Sequence, residues 1–187
     1  MAIPTRTIGS AAALSYLHAI LVAGAEAECN AALTEMSITP AISLPPAAVR
    51  IGDNPSQPLN HTTEIRVVGA EFRPGALVNL GEGRGEYNAL VRIYTGPTAR
   101  TYTAQPTHET DTEMRVAALA DGVRALIERL APADIAASGI YNAQITSVRY
   151  ADVIVRATAN TSIPIRRAEL RVTLHTRHRN SRGQSAP

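Results

Sequence analysis

Hydrophobic positions along this chain follow two periods. From Ala11 to Glu35, Leu14, Leu17, Leu21 and Ala25 recur at helical spacing behind Ser10, which is placed to cap the first turn, while Glu26, Glu28 and Glu35 charge the distal end. This pattern predicts a buried helix. A second helix is predicted from about Asp111 to Ala131, with Thr110 or Asp111 as N-cap, Glu113 in the first turn and Pro132 as the stop. Its apolar stripe is Val116, Leu119, Val123, Leu126, Ile127 and Leu130. Arg115, Asp121, Arg124, Glu128 and Arg129 take the remaining surface, with Arg124 and Glu128 spaced as a helical ion pair.

Between and after the helices the period shortens to two. Glu64 to Ala70 and Ala76 to Leu80 read as strands separated by a turn at Pro74-Gly75. Glu86 to Thr95 follows a glycine turn and puts Tyr87, Ala89, Val91 and Ile93 on one face. Thr101 to Ala104 is a further short candidate. Two long strands close the pattern, Asn142 to Thr158 and Ile163 to Arg177, joined by a short turn at Ala159 to Ser162. In the last strand Ala168, Leu170, Val172 and Leu174 alternate with Arg167, Glu169, Arg171, Thr173, His175 and Arg177, as expected of a sheet with one dry and one wet face.

Residues 37–63 fit neither period. They hold Pro40, Pro45, Pro46, Pro55 and Pro58, with turn signals at Gly52-Asp53 and Asn54-Pro55, so no helix or central strand is expected there. Stretches of more than about 15 residues without regular structure are unusual inside a compact domain. An extended arm lying on a neighbouring subunit is the preferred expectation, against a loop wrapped over its own domain. Pro45, Pro46 and Arg50 are its candidate contact residues. The order of elements is that of a single α+β domain over residues 1–179: an antiparallel sheet with a long C-terminal hairpin, two main helices packed on one face and a proline-rich arm, followed by a flexible tail, 180–187.

Composition narrows the function. The 187 residues suit one domain with a real core. A formal charge of +2 disfavours a wholesale polyanion binder, and the basic side chains are all arginine. Aromatic residues are 4% of the chain, with Phe72 the single phenylalanine and no tryptophan, too few for a stacking platform for single-stranded nucleic acid. Cys29 is the only cysteine, which excludes an internal disulfide and paired-cysteine zinc sites and reads as a small core residue. Arg6 and the apolar run to Ala25 imitate a secretory signal, but Tyr16 and His18 interrupt the run, and it falls short of the roughly 20 apolar residues that span a bilayer.

No catalytic constellation emerges. Gly81, Gly83 and Gly85 are followed by a strand, whereas a phosphate-cradling loop needs a helix N-terminus after its glycines, so they read as a hairpin turn. His175 and His178 are spaced for neither a strand face nor a ligand set. His108, Glu109 and Asp111 are explained by helix capping and the dipole, and His18 has no nucleophile motif beside it. Asn60-His61-Thr62 matches a glycosylation sequon, which matters only on a secretory route. No cofactor is expected. The most suggestive polar surface is the stripe Arg167, Glu169, Arg171 with Arg177 and, beyond it, Arg179 and Arg182. Alternating signs there suit a contact between subunits, where planar guanidinium groups make bidentate bonds.

The order of an N-terminal helix, a strand region, an amphipathic helix after a Thr/Asp-rich loop, and a long hairpin ending in RRAELRVTLHTRHR resembles the tail terminator proteins of long-tailed bacteriophages. It covers roughly Ala11 to Glu35 and Glu64 to Arg179, and this chain departs from the small members in its proline-rich arm and longer C-terminus. The resemblance implies a structural virion protein at the head-tail junction, assembled in the host cytoplasm. Its expected partners are other copies of itself in a hexameric ring, the tail tube protein whose growth it ends, and the head-side connector or stopper protein. DNA would pass through the ring without sequence-specific binding, which suits a near-neutral chain, and no membrane is involved. Such a ring needs two different patches on each subunit. The alternatives are a neck or head-completion connector and, from another class, a secreted β-rich binding domain; native mass separates a ring from a monomer lacking its first residues.

Overall fold

The computed structural model describes residues 10–39, 41–52, 63–79, 82–96, 107–129, 140–158 and 161–179. Two helices lie on one face of a five-stranded sheet, an α+β arrangement: α1 (Ser10–Glu35), β1 (Val49–Ile51), β2 (Thr63–Asn79), β3 (Glu82–Thr95), α2 (Thr107–Glu128), β4 (Ile140–Thr158) and β5 (Thr161–Arg179). The strand order is β1-β2-β3-β5-β4. All neighbours are antiparallel except β1 and β2, which run parallel.

Helix α1 buries Ala13, Leu17, Leu21, Ala25, Cys29 and Leu33, a strict four-residue spacing that makes one narrow stripe. It ends without glycine. Ser37 takes the left-handed conformation, φ 56°, and the backbone N–H groups of Ile38 and Ser37 donate back to Leu33 and Thr34. This is a Schellman closure, with the partly buried Ile38 packed against the core. Cys29 is the small core residue its sequence context suggests. Its thiol donates to the Leu119 carbonyl at 3.5 Å, and burial, reinforced by Glu28, pushes it up to about 12, so it stays protonated at neutral pH.

Helix α2 begins earlier and ends earlier than its pattern suggests, placing His108, Glu109 and Asp111 inside its first turns. Val116, Leu119, Val123 and Ile127 are buried as expected and Leu126 partly so, while Leu130 lies outside the described residues. Arg115 is a correction. It is buried rather than on the surface, and desolvation lowers its pKa. The stripe is wider than the large side chains indicate because Ala118, Ala120 and Gly122 extend it against α1 and the sheet.

Strand β2 also departs from expectation. Pro74-Gly75 is not a turn; the strand runs through it, with pairing to β3 shifting between Pro74 and Leu77. Proline is tolerated there because a bulge excuses its missing N–H. An earlier shift falls at Gly69, whose φ of 57° is the left-handed value such a bulge requires. Gly83 and Gly85 belong to β3, opposite these irregular positions, and pairing between the two strands extends to Asn79 with Glu82. The candidate strand Thr101 to Ala104 and the tail 180–187 lie outside the described residues.

Residues 41–52 of the proline-rich segment wrap over their own domain. Ile42, Leu44, Ala48 and Val49 join the hydrophobic core, Pro46 to Ala48 form one 3-10 turn, and β1 adds a short edge strand to β2. Three polar side chains of α1 bind this strap. Asn30 accepts from the Ile42 N–H at 2.8 Å and donates to the Ile42 carbonyl at 3.0 Å. Glu26 accepts from the Leu44 N–H at 2.6 Å, and His18 Nε2 meets the Val49 carbonyl at 3.0 Å. His18 is therefore a packing residue. Residues 53–62 lie outside the described part. Replacing Asn30 with Ala removes both bonds to Ile42 and leaves half-buried backbone groups unsatisfied. The melting temperature should fall, corresponding to about 1–3 kcal/mol, with Asn30→Asp, which keeps the acceptor, losing less; equal melting of all three proteins would show that the strap is held by apolar contact alone.

Candidate subunit interface

The face of the sheet opposite the helices carries the charges. Register places Arg167, Glu169 and Arg171 of β5 beside Tyr94, Arg92 and Leu90 of β3, and these in turn beside Glu64, Arg66 and Val68 of β2. On the other side Arg149 of β4 pairs with Glu169. Arg50 of β1 pairs with Arg66, so the arm's candidate basic residue reaches the same face by a different strand.

The three candidate residues of β5 are not equivalent. Glu169 is held within the chain, its carboxylate accepting from Arg92 Nε at 2.8 Å across the strands. Arg171 is exposed. Arg167 is half-buried, and its buried Nε has no hydrogen-bond partner among the described residues. A guanidinium N–H in that state is one that a protein or water partner normally satisfies. Arg177 lies opposite Arg84 in register, and only its backbone position is described. Pro45 is half-buried and Pro46 exposed, both in the strap and away from the β5 row; they sit at the start of the 3-10 turn, where a fixed φ is favourable. The seven candidates therefore separate into a charged sheet face and a strap.

A second group on this face was not singled out from sequence. Glu64 is 0% exposed and Arg66 3%, with Arg66 Nη2 at 3.1 Å and Arg50 Nη2 at 3.7 Å from the Glu64 carboxylate. The Arg66 guanidinium also lies over Tyr94, 4.9 Å from the ring centre. The signal was the alternation of Glu64 and Arg66 with Ile65 and Val67, which reads as a wet face until the burial of the charges is known. At the far end His175 Nδ1 lies 3.3 Å from Glu86, and Tyr141 stands beside the imidazole ring. On the helix side Arg166 joins Glu113 of α2 to Asp152 of β4, a clamp between helix and hairpin.

Among the described residues no group of three or more His, Cys, Asp or Glu side chains is arranged to hold a metal ion, and no helix is long and apolar enough to cross a membrane. The arrangement offers ion pairing and hydrogen bonding where the face is open, at the exposed Arg149 and Arg171 and the half-buried Arg50, Arg92, Arg167 and Glu169, while Glu64, Arg66 and Tyr94 are buried. Compared with models of known protein families and with curated proteins, the sequence matches none.

Proposed function

We propose that this chain is a structural virion protein, a tail terminator that forms a ring of about six subunits on the end of a tail tube, stops its polymerisation and presents a surface to the head-side connector. The observation that carries this is the outer sheet face. It bears an ordered row of charges in which Arg149 and Arg171 are exposed, while both described helices lie on the other side. A surface of that kind suits contact with protein better than chemistry on a small molecule. The two-layer subunit also supplies two dissimilar faces, as closure of a ring by rotation demands.

Adding the purified protein to growing tail tubes tests this. Expected are tubes capped at one end by a ring, with elongation arrested in proportion to the protein added. Unchanged elongation, with the protein found instead at the portal vertex of heads, would replace the proposal with a neck or head-completion role. A monomer with no affinity for either would overturn both.

A further inference from the structure

The small net charge of the chain conceals a separation by layer. The two helices hold eight acidic residues and two arginines, whereas the five strands hold twelve arginines and six acidic residues; the formal charge is therefore −6 on one layer and +6 on the other. Arg166 and Asp152 of the strands turn to the helix side, and Glu64, Arg66 and Arg115 are buried, so only part of this charge lies on the two outer surfaces. On the helices Glu26, Glu35, Glu113, Asp121 and Glu128 are exposed. On the sheet Arg149, Arg167 and Arg171 face outward without bonding any carboxylate among the described residues, while Arg92 is paired with Glu169.

The acidic layer is not what helix stability alone would select. Both helices end in a glutamate, Glu35 and Glu128, and neither has a basic residue in its last turn. A negative charge there opposes the helix dipole, whose C-terminus favours cations. Glu128 is offset by Arg124, and Arg129, the residue after α2, pairs with Glu28, whereas Glu35 has no ion pair among the described residues.

We infer that the basic outer sheet face of one copy docks on the acidic helical layer of the next copy of this same chain. Charge complementarity names the occupant, because the surface that matches the sheet face is carried by every subunit. A contact between two different faces is heterologous and repeats around a rotation axis, which is how rings close. A nucleic acid backbone is the rival occupant. The face suits it less well, since the half-buried Glu169 sits in the arginine row and would be brought against phosphate. The inference rests on the ring-forming function proposed above and names the partner of its charged face.

Charge reversal on each side, followed by reversal on both, tests it in the full chain by native mass at low and physiological salt. Arg167→Glu with Arg171→Glu should weaken self-association at least about tenfold, and Glu35→Arg with Asp121→Arg should do the same. All four changes combined should restore assembly to within about threefold of the original. Added salt should weaken the unaltered assembly, because exposed pairs are screened. Rings that persist in both reversed proteins would overturn the docking proposal while leaving the tail function standing. Loss of assembly in the combined variant, with circular dichroism unchanged, would overturn it as well. If reversal on the sheet instead abolished retention of duplex DNA and left native mass unchanged, nucleic acid would be the partner. Assembly that follows the expected pattern but fails to cap tubes would overturn the tail function alone.

Discussion

Replacing Glu64 with alanine should cost about 3–5 kcal/mol, because it breaks a buried ion pair by removing the carboxylate that lies 3.1 Å from Arg66 Nη2. Domains of this size have only about 5–15 kcal/mol of stability in total, so the variant should be close to unfolding at moderate denaturant. Cation–π contact with Tyr94 remains in the variant and is too weak to compensate, at about 2 kcal/mol or less for such a pair. The companion experiment is the double change Glu64→Leu with Arg66→Leu. Removing both charges also removes the desolvation cost of holding them, so the double variant should be more stable than Glu64→Ala alone. Equilibrium unfolding in urea measures both. A loss of under about 1 kcal/mol in Glu64→Ala would mean that water reaches Arg66 and that the pair behaves as a surface salt bridge.

Much of this fold is legible in the sequence because its long elements repeat a clear period. The dry face Ala168, Leu170, Val172 and Leu174 is buried, as are Tyr87, Ala89, Val91 and Ile93 opposite it, since a period of two leaves no other way to cover those side chains. The failures have a common cause in non-local contact. Val49–Ile51 is a strand because β2 lies beside it and Asn30, Glu26 and His18 hold the segment before and within it, none of which three residues between prolines and glycine could announce. Pro74-Gly75 has the local chemistry of a turn, and the partner strand β3 overrides it with a bulge. Arg115 looks like a surface residue on a helical wheel, yet it is buried, as are its small neighbours Ala118 and Ala120. Of the candidate contact residues, strict alternation correctly grouped Arg167, Glu169 and Arg171. It could not show that Glu169 is already paired with Arg92, a partner 77 positions away, nor that net charge divides by layer, because a sum over the chain discards position.

A close approach of the two helices at Gly122 yields the second large effect. A Cβ built on Gly122 would lie 2.7 Å from the Cys29 Cα, 2.8 Å from its N and 2.8 Å from the Glu28 carbonyl oxygen. All three are backbone atoms of α1, so no rotamer change relieves the clash and the helices must separate. Gly122→Ala gains about 1 kcal/mol of helix propensity, yet separation unpacks Leu119, Cys29 and Leu33 at the core, and overpacking costs about 1–3 kcal/mol or more. The net result should be a loss, with Gly122→Val worse again because its branched Cβ widens the gap and disfavours helix. Gly24 is the control. There an added Cβ meets only Leu126 Cδ1 at 2.7 Å, the end of a half-buried flexible side chain that can turn away. Gly24→Ala should therefore be neutral or stabilising, although both glycines lie at the same helix contact. Unfolding free energies of the three variants should rank Gly24→Ala above Gly122→Ala above Gly122→Val. If Gly122→Ala is as stable as Gly24→Ala, the helices have room to spare, and the bond from the Cys29 thiol to the Leu119 carbonyl cannot be fixed by their close approach.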